Sequence, residues 1–208
     1  MYHPVVATPV WSPQRKLLGN LVPALGWLPL VAGGLIVISL TNDLLGLGLA
    51  LVVAGNVVGW LLLNQFGLYQ NAAMRRELER MLERRGESLA GKSYFVGFAT
   101  PRYTGLVDAH EDVGFLVVQP EQLRFVSETR TVPILRLEVR RIRFRANVHS
   151  VLGLGRWICV EGVSGGKEFR LLVEPRQHRT MMANMMASRT MLRELQTWLE
   201  TKPAAKTA

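Results

Sequence analysis

From Leu17 to Gln70 the chain carries a single formal charge, Asp43. Two uncharged runs fill this stretch. Residues 17–40, "LLGNLVPALGWLPLVAGGLIVISL", span 24 positions, and residues 44–63, "LLGLGLALVVAGNVVGWLLL", span 20. A helix needs about 20 apolar residues to cross the hydrocarbon core of a bilayer. Each backbone amide there must be satisfied within its own segment, so two helices are the expected solution. Only "TND", residues 41–43, separates the runs, which makes them a tight hairpin. The competing assignment for the first run is a secretory signal peptide. It would need a shorter apolar core and a small-residue cleavage site, and here a second run follows at once.

The charges lie elsewhere. Residues 1–74 hold Arg15 and Lys16 against Asp43, while residues 75–208 hold the other 23 basic and 15 acidic side chains. An oily region thus precedes a basic, water-soluble one. Arg15 and Lys16 come before the first span, and Arg75, Arg76, Arg80, Arg84 and Arg85 follow the second. Cationic flanks stay cytosolic, so a multi-pass protein of the cytoplasmic membrane with both termini in the cytosol is expected. Pro23 is expected in the first turn of its helix, where a missing donor costs little, and Pro29 to kink it. Gly55 and Gly59 form a small-xxx-small face for close helix packing. Asn56, between them, is polar at membrane depth and is expected to bond the other helix.

Residues 73–85, "AMRRELERMLERR", favour a helix whose Met74, Leu78, Met81 and Leu82 form a narrow apolar stripe, stopped by Gly86. Three placements compete: a stalk continuing the second span, a helix lying along the headgroups, or a pairing with another copy. From Ser93 the pattern alternates, as in strands with one face on a core. Strands are expected at 94–99, 113–118, 122–127, 130–134, 140–147, 156–161 and 167–173. "QPEQ" (119–122) and "GVSGGK" (162–167) are hairpin turns. After Pro175 a helix is expected to about Thr201, with Met181, Met185, Leu192, Leu195 and Leu199 on one face. The expected organisation is a tail (1–16), a hairpin (17–66), a juxtamembrane helix and linker (67–92), a β domain with closing helix (93–201) and a second tail (202–208).

Residues 114–144, "GFLVVQPEQLRFVSETRTVPILRLEVRRIRF", and 150–173, "SVLGLGRWICVEGVSGGKEFRLLV", carry a resemblance. With the two spans before them, they resemble the bacterial pleckstrin-homology-like (PH-like) domain family in its membrane-anchored form. The shared features are the hairpin at Pro120, the "VPI" strand ending (132–134), the glycines at 153 and 155, and the closing helix. The chain departs from that pattern at Glu128-Thr129-Arg130, where a glycine turn is expected, and in the extra segment 86–112. The fold class implied is α+β, a transmembrane hairpin followed by a seven-stranded, mostly antiparallel β-barrel or sandwich and a C-terminal helix. The resemblance implies a non-catalytic domain that binds lipid, protein or its own copies, with no catalytic residues and no cofactor.

Reaction machinery is sparse in the sequence. "EGVSGGKE" (161–168) superficially matches a phosphate loop, but its first glycine is misplaced and Glu168 stands where a hydroxyl is required. "DAHED", with Asp108, His110, Glu111 and Asp112, is the best candidate for a hard cation, against the reading of a solvated loop. The single Cys159 excludes an internal disulfide and, within "WICVE", is expected to be a buried inert thiol. Met181, Met182, Met185, Met186 and Met191 are either gap-filling core or a soft partner surface.

"VRRIRFRANV" (139–148) sets Arg141, Arg143 and Arg145 on one strand face opposite Ile142 and Phe144. With the five arginines of 75–85 they could meet anionic lipid or an acidic partner, or be a solvated face. Nucleic acid is not expected, since no exposed stacking group accompanies them. The function expected is an integral membrane protein presenting a cytosolic, non-enzymatic binding or scaffolding domain to membrane lipids, a protein partner or its own copies. The alternatives are an accessory subunit of a transport or electron-transfer complex, and an enzyme acting at the membrane.

Overall fold

The computed structural model describes residues 9–66, 68, 70–102 and 110–201. Two apolar helices come first, α1 (Pro13–Leu40) and α2 (Leu45–Phe66), joined by a single 3-10 turn at Asn42–Leu44. Both are long and apolar enough to cross a membrane. Ser12 caps α1 by accepting from the Arg15 amide at 3.3 Å. Pro13 takes the first helical position, where φ is pre-set and no donor is lost. Pro23, expected in that role, lies ten residues inside the helix with Pro29.

Helix α3 (Asn71–Arg84) follows. Its stripe of Met74, Leu78 and Leu82 is buried against Phe95, Phe115, Val117 and Val126, with Val10 completing the cluster. Neither stalk, headgroup helix nor pairing with another copy accounts for that stripe, because the sheet covers it. Helix α3, within the expected linker, therefore packs on the sheet. The same holds for the end of the expected N-terminal tail, since Val10 is buried there too.

Seven strands form one antiparallel sheet: β1 (Lys92–Ala99), β2 (Asp112–Val118), β3 (Gln122–Ser127), β4 (Thr131–Leu135), β5 (Val139–Arg145), β6 (Trp157–Ser164) and β7 (Lys167–Pro175). Their order is β4-β3-β2-β1-β7-β6-β5. β1 pairs with β2 along most of its length but with β7 only from Val96 to Ala99, so the two halves splay where β1 begins. Ile134 of one edge strand and Ile142 of the other share a core cluster with Leu116, Val160, Met191 and Leu195. The sheet therefore curls around α5 (Met181–Glu200), which fills its concave side. The sequence order is two apolar helices, seven antiparallel strands and a closing helix, an α+β arrangement.

Turn chemistry explains the hairpins. Gly165 and Gly166 have φ of 55° and 77°, as the two-residue β6–β7 turn requires. At Glu128-Thr129-Arg130 no glycine is needed, because Ser127 Oγ accepts from the amides of Thr129 and Arg130, each at 3.2 Å. β5 ends at Arg145 rather than 147. Asn147 instead caps a single helical turn, α4 (Val148–Val151), accepting from the Ser150 amide at 2.9 Å. On α5 the buried stripe is Met181, Asn184, Ser188, Met191, Leu192 and Leu195, while Met182 and Met186 are exposed and Met185 is half-buried.

Candidate functional site

The glycines of the hairpin face inward on their own chain. A Cβ on Gly55 would meet Leu30 Cβ at 2.9 Å, and one on Gly59 would meet Trp27 Cβ at 2.8 Å. Trp27 Nε1 donates to Asn56 Oδ1 at 3.2 Å, and Asn56 Nδ2 to the Val52 carbonyl. The closest backbone approach is elsewhere, at Gly34 and Gly48, where each added Cβ would lie within 3 Å of the other glycine's carbonyl oxygen.

Arg141, Arg143 and Arg145 are exposed on β5, with Val139 and Ile142 buried beneath. Arg143 is committed within the sheet. Its Nε and Nη2 donate to the two oxygens of Glu161 at 3.1 and 2.9 Å, and Arg170 stands 3.6 Å from the same carboxylate. These hydrogen bonds hold the Glu161 carboxyl below its ordinary range. On α3, Arg75 pairs with Glu79 at 2.9 Å, Arg84 donates to the Arg80 carbonyl, and Arg85 reaches the Glu128 carbonyl at 2.7 Å. Arg76 is exposed. Of the eight arginines, three lie on β5 and five on α3 or its C-terminal cap.

A buried polar cluster lies where hairpin and sheet meet, and sequence reading did not assemble it. β7 turns Val173 into the core and Glu174 to the other side, leaving it 6% exposed. His110 Nε2 stands 3.2 Å and His149 Nδ1 3.6 Å from Glu174 Oε2, and Asn147 Nδ2 donates to the same oxygen at 3.1 Å. Burial pushes the carboxyl up, but the two imidazoles beside it outweigh burial and bring it to about 2. Gly97 and Gly155 are required here. A side chain at Gly97 would enter the His110 ring, and one at Gly155 would strike the Glu174 carboxylate.

The amino-terminal strap closes over this cluster. Trp11 Nε1 donates to the His110 carbonyl at 3.2 Å, and buried Arg176 stacks its guanidinium 4.4 Å from the Trp11 ring. Arg176 Nε donates to Asn71 Oδ1 at 3.0 Å, and Val10 N donates to Glu128 at 2.6 Å. Arg15, in the first turn of α1, pairs with Glu77 of α3 at 2.9 Å. The end of α2 is tied to the domain too. Trp60 Nε1 donates to the Leu152 carbonyl at 3.1 Å, and Asn64 Oδ1 accepts from the Met182 amide at 2.9 Å. Between Trp27, Asn56, Trp60 and Leu152 lies an apolar crevice of about 420 Å³.

At the opposite end of α5 a groove of about 700 Å³ opens between that helix and the sheet. Tyr94, Val118, Leu195 and Trp198 form its apolar walls, and Lys92, Arg136 and Arg193 stand at its rim. Lys92 pairs with Glu194 at 2.6 Å, Tyr94 donates its hydroxyl to the same carboxylate, and Arg136 lies over the Trp198 ring at 5.2 Å. Burial and then Glu194 push the Tyr94 hydroxyl up, so its proton is held firmly at neutral pH. The groove's polar residues come from β1, the turn at residues 136–138 and α5, with no common spacing, which is why sequence alone did not join them.

The described residues of "DAHED" turn to different partners. Asp108 lies outside the described residues. His110 turns to Glu174, Glu111 to Arg130 and Thr100, and Asp112 to Ser127 and Thr129. Among the described residues, no group of three or more His, Cys, Asp or Glu is placed to hold a metal ion. Cys159 is fully buried, and burial with nearby Glu161 raises its thiol to about 11. Compared with known proteins, the chain matches no family model and no curated relative.

Proposed function

We propose that the chain is a two-span protein of the cytoplasmic membrane whose cytosolic domain is a PH-like, non-catalytic scaffold that holds a protein partner. The observation that carries this reading is the solvent preference of the hairpin. Leu25 and Val53 are 61% and 62% exposed on helices whose apolar windows are only 11% and 17% buried. A core helix of a water-soluble protein would hide such residues, whereas lipid leaves them no penalty. The strap before α1 and the chain after α2 seat on the same domain, which supports an even number of spans with both flanks on one side. The basic flanks then favour the cytosol. The meander β1–β4, the three following strands and the closing helix support the PH-like assignment.

The groove beside Trp198 supports a protein rather than a lipid partner, because it lies at the end of α5 remote from Asn64 and the hairpin. A subunit role carried by the hairpin has less support, since Gly55, Gly59 and Asn56 are used within the chain. Native mass spectrometry of the detergent-extracted protein tests the reading. A stoichiometric partner mass, or a second copy, that is lost with Arg193→Glu is the expected result. A monomer carrying only lipid contradicts it.

A further inference from the structure

The loop between β5 and β6 exposes apolar residues in a place the domain itself does not explain. Val151 is 87% and Leu152 47% exposed. The loop is nonetheless firmly built. Asn147 caps α4, Ser150 Oγ donates to the Gly155 carbonyl at 2.8 Å, and Asn147 reaches down to buried Glu174. Leu154 is buried with Leu68 and Met181, against Trp60 and Leu63. The polar groups of the loop thus point inward and its aliphatic tip outward, the reverse of what water favours.

The tip has a fixed height on the hairpin. The Leu152 carbonyl accepts from Trp60 Nε1, so the two residues are level. Trp60 lies six residues before the end of α2, or roughly 9 Å at 1.5 Å per residue. α2 is 22 residues long, close to the length that crosses the hydrocarbon core. Trp60 and the loop tip beside it therefore lie at the depth of the upper acyl chains, just inside the cytosolic end of the span. The crevice between Trp27, Trp60 and Leu152 makes the tip continuous with the lipid-facing side of the hairpin. Arg145 and Arg156 flank the loop, and Arg156 is held over the Phe144 ring at 4.6 Å. Cations bracketing an apolar tip suit headgroups above and acyl chains below.

We propose that the α4 loop is a third membrane-seated element, which inserts Val151 and Leu152 into the cytosolic leaflet beside the hairpin. This rests on the reading of α1 and α2 as spans. It gives the domain a point of lipid contact of its own, beside the direct contacts that already fasten it to both ends of the hairpin. Leu137, equally exposed at 87%, sits in the turn before β5, at the other end of that strand, and supplies the contrast.

The test uses the full chain in phosphatidylcholine–phosphatidylglycerol vesicles. Val151→Cys, Leu137→Cys and Val53→Cys are each labelled with an environment-sensitive fluorophore, and buried Cys159 stays silent. Nitroxide groups placed high on the acyl chains are expected to quench the Val151 probe, with a blue-shifted emission, and to leave the Leu137 probe unchanged. The Val53 probe should be quenched by nitroxides placed deep on the chains. Equal behaviour at Val151 and Leu137, with Val53 still quenched, overturns the proposal and leaves the spans standing. A Val53 probe that resides in water overturns both.

Discussion

Leu25 of the hairpin is 61% exposed, whereas Leu116 and Leu123 of the sheet are 0% exposed. The same residue type is turned outward in one region and inward in the other. In the sheet, water drives burial, and both faces of β1–β3 are covered, by α5 on one side and α3 on the other. In the hairpin, on the proposed reading of two spans, apolar side chains need no hiding from lipid, and the two helices meet through glycines that let backbones approach. The difference teaches that apolar content does not specify burial; the solvent does. The junction between the regions can follow neither rule, and there the chain uses buried charge: Glu174 beside two histidines, and Arg176 under Trp11.

That contrast can be broken at its junction first. Glu174→Ala removes the anion around which His110, His149 and Asn147 are arranged, and should cost about 3–5 kcal/mol, as loss of one partner of a buried pair does. Thermal unfolding of the detergent-solubilised chain reads this. The same group sets an acid limit. Its folded pKa of about 2 lies below the ordinary 4.5, so its stabilisation is complete above about 4.5 and is lost as pH falls from there towards 2. Glu174→Gln should flatten the fall in melting temperature over that window.

Next in size is the sheet's outer face. Leu78→Ala opens a cavity beneath α3 and should cost about 2–5 kcal/mol. A stability unchanged by Leu78→Ala would mean that α3 does not seat there. In the hairpin, Gly34→Ala presses a methyl group against the Gly48 carbonyl and should cost about 1–3 kcal/mol. Leu25→Ala, on the exposed side of α1, should cost far less. Proteolysis of the chain in lipid nanodiscs separates these two. The smallest effect is at Arg143→Gln, because its solvent-exposed pair with Glu161 is screened and contributes little to stability.

Much of this was legible in the chain because period and charge report solvent directly. The two uncharged runs locate the hairpin to within a few residues, and alternation such as Leu123-Arg124-Phe125 locates the strands. What was not legible is what lies between elements. The α3 stripe announces an apolar face but not its partner, since Phe95, Phe115 and Val126 lie on strands that look complete with one face buried. Gly48, Gly55 and Gly59 repeat at helical spacing, and that spacing was available as a signal, yet Gly34 is identified only by the register between the helices. Glu174, His110 and His149 are 25 or more residues apart and converge through topology alone. The Lys92–Tyr94–Glu194 group of the groove does likewise.

The most direct test of the hairpin is site-directed cysteine labelling in membranes, made possible because Cys159 is fully buried. Asp43→Cys and Ser12→Cys are compared using a membrane-impermeant maleimide on right-side-out and inside-out vesicles. Two spans with both flanks in the cytosol predict that the Asp43→Cys chain is labelled only in right-side-out vesicles and the Ser12→Cys chain only in inside-out ones. Labelling of both from the same face would contradict it.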